Sequence, residues 1–181
     1  DSIQILYSAI EEHLNRLGST YQKPSGLSKG ILATSEHFIQ KKGPSPWANP
    51  TFQASYLAHF LPMNVFRWVK VFERLESLGI EPLKSALDFG AGPMTFRIAH
   101  ALMYPEKNLD YGVIEVNDTP VKIGESLLAT LAKELAPQTK YKSTQIQKVD
   151  FKYETLILSY SLNELKKIPD DFWNFKNILI L

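Results

Sequence analysis

Within Ser85 to Phe96, SALDFGAGPMTF, an acid, two glycines and a proline stand at a spacing that suits the binding of a charged cofactor. Ala86, Leu87 and Phe89 form an apolar run around Asp88. The run breaks at Gly90-Ala91-Gly92 and restarts at Pro93 with apolar residues at helical spacing. This predicts strand, tight turn and helix. Glycine lets a backbone approach a ligand with no Cβ in the way, and proline suits the first helical position, where its missing N–H would have no partner. Free N–H groups at such a terminus favour an anionic group by about 0.3 to 1 kcal/mol at an exposed site. Asp88, just before the first glycine, is placed to take a charged amine, with Gly90, Ala91 and Gly92 lining the turn. A second strand, Tyr111 to Val116, ends in Glu115, where a βαβ nucleotide-binding unit puts the acid that holds ribose hydroxyls. Acid, GxG, acid describes a pocket for a nucleoside-containing cofactor, either NAD or S-adenosylmethionine (SAM).

A dinucleotide fingerprint wants a third glycine for close helix packing beside a pyrophosphate, and Thr95 stands in its place. The DxGxG form resembles the class I methyltransferases instead, which take SAM. In open α/β sheets ligands sit beyond the carboxyl ends of the strands, so the other strand ends supply further candidates. A third strand, about 142 to 148, leads to Asp150-Phe151. There a carboxylate accepts from an adenine amino group while the Phe151 N–H meets a ring nitrogen; the alternative is a plain loop carboxylate. A fourth strand, 154 to 160, runs into SYSLNEL. Ser159 is assigned to the cofactor, and Tyr160, Ser161, Asn163 and Glu164 are candidates to orient a methyl acceptor, Tyr160 and Asn163 foremost. Asn163 serves otherwise as the cap of a short helix that follows.

These strand ends need a scaffold. The chain's 181 residues, 44% hydrophobic and 22% charged, suffice for one sizeable core with a helical extension. A formal net charge of +1 gives no strong overall field, so any RNA contact must use local patches. Cysteine is absent, which excludes disulfides, thiolate metal sites and a cysteine nucleophile for carbon-5 pyrimidine methylation. Histidines 13, 37, 59 and 100 show no ligand-like spacing, so no metal is expected. No apolar stretch suits a membrane span or a signal peptide. The expected setting is the cytoplasm, or the mitochondrial matrix in a eukaryote. Without an initial methionine and with a strand-like ILIL at its end, the sequence reads as a fragment.

Residues 1–82 read as an all-helical N-terminal region. Ile3, Leu6, Ile10, Leu14 and Leu17 recur at helical spacing before Gly18, and a second helix runs from about Leu27 through Ile31, Ser35 and Phe38 to Lys41-Lys42-Gly43. Trp47 sits in a proline-rich loop, either packing it down or stacking on a base. A third helix covers Phe52 to Leu61, and Pro62 is expected to start a fourth that ends at Gly79. Its Arg67, Lys70 and Arg74 form a basic stripe, or a balanced solvent face with Glu73 and Glu76. Residues 83–181 alternate instead: strand 84–89, helix 93–104, strand 110–116, helix 119–136, strand 142–148, strand 154–160, short helix 161–168 and strand 177–181. That order predicts an α/β, Rossmann-like parallel sheet for SAM binding, truncated after its fifth strand.

YLAHFLPMNVFRWVKVFERL, DFGAGPMT and LILSYSLNEL together resemble the small-ribosomal-subunit methyltransferase-like family of rRNA methylases (Rsm twenty-two type), within the class I SAM-dependent methyltransferases. The resemblance covers roughly residues 50–181 and implies a helical N-terminal part, a Rossmann-like SAM-binding domain, and association with rRNA or the small ribosomal subunit. It puts Asp88, Gly90 and Gly92 on the methionine side of the pocket and makes Glu115 the ribose acid. Met94 stands where the family usually has glycine, its side chain either crowding the cofactor or pointing into the core. The family's C-terminal part, with cysteines that can carry a metal cluster, is not among these residues. The expected activity is SAM-dependent methylation of small-subunit rRNA. Two alternatives stand beside it: a non-catalytic factor binding or assembling the small subunit, and a small-molecule methyltransferase.

Overall fold

Apolar residues recurring three and four apart make the first part of the chain helical, and the change to alternation near residue 84 begins a sheet. The computed structural model describes residues 2–40, 46–159, 165 and 167–181. The chain divides into two compact units, Asp1–Asn64 and Val65–Leu181.

In the first unit, α1 (Ser2–Arg16) buries Leu6, Ala9, Ile10 and Leu14 along one face. The buried stripe of α2 (Pro24–Gln40) is Leu27, Gly30 and Thr34, offset from the expected one, so that Phe38 remains partly exposed. α3 (Pro50–Ser55) starts at Asn49, whose side chain accepts from the Thr51 and Phe52 N–H groups, with Pro50 at the first helical position. The Trp47 ring is packed on Phe52 and Tyr56, with centroids 5.1 and 4.9 Å away.

The helix does not restart at Pro62 as the sequence suggests. α3 passes through a π-helical stretch, Tyr56–Phe60, directly into α4 (Leu61–Ser77). Pro62 has no N–H to offer the Ala58 carbonyl, one helical turn earlier. The Tyr21 hydroxyl supplies that donor from outside the helix, at 3.0 Å. We expect Tyr21→Phe to lower stability by about 1 kcal/mol, seen as a lower urea midpoint. An unchanged midpoint would show that the Ala58 oxygen does not depend on this bond.

The second unit begins at Val65, inside α4. The cause is aromatic packing: Phe96 lies 5.1 Å from Trp68 and 5.5 Å from Phe72 between ring centroids, and Tyr104 lies 5.6 Å from Phe72. After α4 come β1 (Ser85–Phe89), α5 (Thr95–Met103), β2 (Asp110–Ile114), α6 (Asp118–Leu135), β3 (Thr144–Gln145), β4 (Thr155–Leu158), a 3₁₀ turn at Asp170–Asn174, and β5 (Asn177–Ile180). The sheet order is β3-β2-β1-β4-β5 with every pairing parallel. This is the Rossmann-like α/β order, with helical structure ahead of it in the chain.

Register assigns the two faces. Ala86 and Asp88 of β1 stand beside Tyr111 and Val113 of β2 and Thr155 and Ile157 of β4, on the face where Phe96 of α5 stacks on Tyr111. Leu87, Leu156 and Leu158 point the other way and pack with Tyr153, Phe172 and Phe175. β3 is far shorter than expected, pairing only Thr144 and Gln145 with β2, and both residues are exposed. The expected helix at 161–168 falls largely outside the described residues. Among the described residues no helix is long and apolar enough to cross a membrane.

Candidate functional site

Strand order reverses between β1 and β4, so the crevice beyond the carboxyl ends of these two strands is where an open α/β sheet holds a ligand. The glycine turn follows β1 directly. Gly90 extends the ladder by donating its N–H to Ile114 O at 2.8 Å, after which the chain turns away. Gly90 and Gly92 have φ of 68° and 52°, a left-handed backbone open to glycine at no steric cost. A Cβ at Gly92 would meet nothing within 4 Å, so backbone conformation, not crowding, selects glycine there.

Helix α5 starts at Thr95, two residues later than the Pro93 start expected, because Met94 is also left-handed, at φ 57°. For a residue with a Cβ this costs about 1 to 2 kcal/mol. Full burial of the Met94 side chain offsets it. The side chain points into the core towards α6, where a Cβ on Gly124 would lie 2.8 Å from Met94 Cε and 2.6 Å from Pro93 O. Of the two positions left open for Met94, crowding the cofactor or filling the core, the structure takes the second. The close helix approach that a dinucleotide fingerprint obtains from its third glycine is here supplied by Gly124.

Two acids flank the turn. Asp88 is completely buried; the Tyr111 hydroxyl donates to its Oδ2 at 2.6 Å, and its Oδ1 has no hydrogen-bond partner. Burial pushes its carboxyl up to about 7; the Tyr111 hydrogen bond opposes the shift, while the nearby Glu115 charge adds to it. Glu115, half-buried just past β2, accepts the Gly92 N–H on Oε2 at 2.9 Å and the Asn117 N–H on Oε1 at 3.1 Å. It thereby ties the turn to the start of α6, which Asn117 caps by accepting the Thr119 N–H. A carboxylate has about four lone-pair sites, so both oxygens can still accept from hydroxyls. Asp88, Gly90, Ala91, Gly92 and Glu115 are thus brought together around one turn.

At the end of β4, Ser159 is buried and accepts from Trp68 Nε1 at 3.0 Å. Tyr160, Ser161, Asn163 and Glu164 lie outside the described residues, as do Lys41 and Lys42. Lys70 pairs with Glu73 at 2.7 Å, the arrangement of a balanced solvent face.

Asp150 and Phe151, expected at the adenine, each have partners of their own. Because β3 ends at Gln145, the following segment runs back across the sheet before β4 begins at Thr155. The Phe151 ring packs on Phe175 at 5.1 Å, close to Asn177, which pairs with Thr155 at the amino ends of β5 and β4. Asp150 is occupied locally, accepting the Lys152 N–H at 3.0 Å and lying 3.6 Å from the Lys152 ammonium. On the turn side, Val116 is fully exposed directly after Glu115 and offers an apolar surface.

Sequence reasoning missed Tyr111 and Trp68, both buried and both bonded to candidate residues. Alternation along β2 places Tyr111 on the same face as Val113, but its partner depends on register. It also missed the character of α5's buried face. There the Arg97 guanidinium donates to His100 Nδ1 at 3.1 Å and lies 4.8 Å from the Tyr141 ring centroid. Burial, with the Arg97 charge adding to it, pulls His100 down to about 3, so its imidazole is neutral and free to accept.

No family model matches the sequence, and no curated protein matches it significantly. Among solved structures it is similar to magnesium protoporphyrin IX methyltransferase from Synechocystis with bound SAH, at 15% identity over 56% of this chain and 45% of that one, TM-score 0.40. It is also similar to the 16S rRNA methylase ArmA, at 14% identity over 85% and 74%, TM-score 0.40. A third is the glycopeptide N-methyltransferase MtfA complexed with sinefungin, at 20% identity over 55% and 43%, TM-score 0.31. The chain spans under half the length of the first and third of these. The fold assignment stands on the chain's own strand order and pairing.

Proposed function

We propose that this chain is a SAM-dependent methyltransferase acting on rRNA of the small ribosomal subunit, in the cytoplasm or the mitochondrial matrix. The observation that carries the reading is the convergence of Asp88, the Gly90-Ala91-Gly92 turn and Glu115 where strand order reverses. The rRNA substrate rests on the resemblance of DFGAGPMT and LILSYSLNEL to small-subunit methylases. The residues fit the cofactor chemically: a buried carboxylate oxygen lacks a donor, a turn approaches without Cβ atoms, and a second carboxylate stands one strand away.

When bound, SAM supplies a methyl group on a positively charged sulfur. Asp88 Oδ1 holds the ammonium of its amino-acid portion, and Glu115 accepts from the ribose hydroxyls. Val116 offers its exposed face to the base. Ser159, held by Trp68, orients the cofactor from the end of β4, and Tyr160 and Asn163 orient the acceptor. Positioning two reactants in line supplies much of the acceleration such a displacement needs, with no covalent enzyme intermediate.

Calorimetric titration of SAM and its demethylated product tests the pocket, followed by transfer of labelled methyl groups to small-subunit rRNA. Glu115→Gln is expected to weaken SAM binding by about 1.5 kcal/mol, roughly tenfold, through loss of charge-assisted bonds. Equal affinity in this variant would remove Glu115 from the site. SAM binding without methyl transfer would favour the non-catalytic small-subunit factor.

A further inference from the structure

Asp88 and Tyr111 are 23 residues apart in sequence and are brought together by register alone. Ala86 pairs with Tyr111 and Asp88 with Val113, so Tyr111 lies diagonally behind Asp88 on the same face, within reach of a long side chain. Its ring is held by Phe96, stacked at 6.3 Å with 19° between planes, and only 2% of Tyr111 is exposed. The hydroxyl therefore has little freedom to point elsewhere. It occupies Oδ2 of a carboxyl whose Oδ1, equally buried, has no partner.

Among the described residues no lysine, arginine or histidine forms an ion pair with Asp88. A carboxyl buried with one neutral donor and no counter-ion is costly to the fold. A cation donating to Oδ1 would complete it.

We propose that Tyr111 is a positioning residue for cofactor binding: its hydroxyl anchors Oδ2 of Asp88 and so presents Oδ1 to the ammonium of the bound amino-acid portion. This rests on the SAM reading given above and adds to it a residue that touches Asp88 and not the cofactor.

The arrangement has a pH signature. A hydrogen bond from Tyr111 and a cation at Oδ1 both favour the ionised carboxylate, so binding weakens as Asp88 takes up a proton. The groups acting on Asp88 are few. From β2 come Tyr111, itself pushed well above its ordinary range by burial and by the Asp88 charge, and Glu115, which opposes ionisation. The paired positions on either side, Val113 and Ile157, are apolar, and Arg97 of α5 acts on Tyr111.

The test is calorimetric SAM binding to the full chain and to Tyr111→Phe across about pH 5 to 9, the range that brackets a raised carboxyl. Phenylalanine keeps the stack on Phe96 and removes only the hydroxyl. We expect binding at neutral pH to weaken about tenfold. We also expect the pH midpoint of binding to move upward, because Asp88 loses the donor that favours its ionised form. A loss of folded protein alone would not move that midpoint. Wild-type binding with an identical affinity and midpoint in Tyr111→Phe would overturn the role of Tyr111 and leave the SAM reading standing. Absence of wild-type binding at every pH would overturn both. Asp88→Asn provides the second arm: Tyr111→Phe added to it should cause no further loss, and additive losses would overturn the proposal.

Discussion

Asp88→Asn is expected to stabilise the chain above pH 7 while weakening SAM binding by about 1.5 to 3 kcal/mol, ten- to a hundredfold. The two effects have one cause. Burial raises the Asp88 carboxyl from 3.8 to about 7 in the folded chain. Between those values the folded state holds a proton that the unfolded state has released, so stability falls as pH rises from about 4 to 7 and stays reduced above. At about 1.4 kcal/mol per pH unit, the loss amounts to about 4 kcal/mol. Asparagine cannot ionise and still accepts from Tyr111, so the variant should lack that decline. Urea midpoints at pH 5 and pH 8 provide the check. Parallel profiles for wild type and variant would mean that Asp88 is not a raised, buried acid. A group that costs the fold stability and contributes binding is the usual mark of a functional position.

Trp68→Ala should cost about 3 to 5 kcal/mol of stability, the range for removing a large buried ring. Trp68 is fully buried, edge-on to Phe96, and its indole N–H is the donor to Ser159. Truncation therefore opens a cavity under α5 and leaves a buried hydroxyl without its partner. Trp68→Phe separates the two effects, because it keeps much of the ring and removes the N–H. Its cost should fall below that of the alanine form, at about 1 to 3 kcal/mol, since the buried Ser159 hydroxyl still loses its donor. Thermal and urea unfolding read both variants, and a loss below about 1 kcal/mol for the alanine form would contradict this account of the core.

What sequence could reveal here was local. β1, the glycine turn, β2 and α6 were legible because each is marked within a few residues, by the apolar run around Asp88, by Gly90 and Gly92, and by helical spacing from 119, although the helix begins at Asp118 with Asn117 as its cap. Features set by residues distant in sequence were not. Pro62 suggests a helix start, and only Tyr21, reaching the Ala58 carbonyl across 37 positions, shows how the helix continues past it. Serine, threonine and glutamine at 143–145 give little sign of where an exposed strand stops, and β3 pairs over two residues only, Thr144 and Gln145. The Met94 backbone conformation displaced the start of α5 for a reason no propensity contains: its side chain fills the space that Gly124 leaves.

The pair formed by Arg97 and His100 has a consequence for how this protein can be assayed. The arginine keeps its proton throughout the working range, and the histidine, held near 3, never acquires one above mild acid. Tyr111 releases its own only well into alkali. Of these four interior groups, Asp88 alone changes charge near neutrality. Because burial also lowers the His13 imidazole, which acts on stability in the opposite sense, it is the difference between the wild-type and Asp88→Asn curves that reports this one carboxyl. A ligand that donates a cation to that carboxyl should displace that difference towards acid. Pocket occupancy could then be followed by unfolding alone, before any methyl acceptor is known.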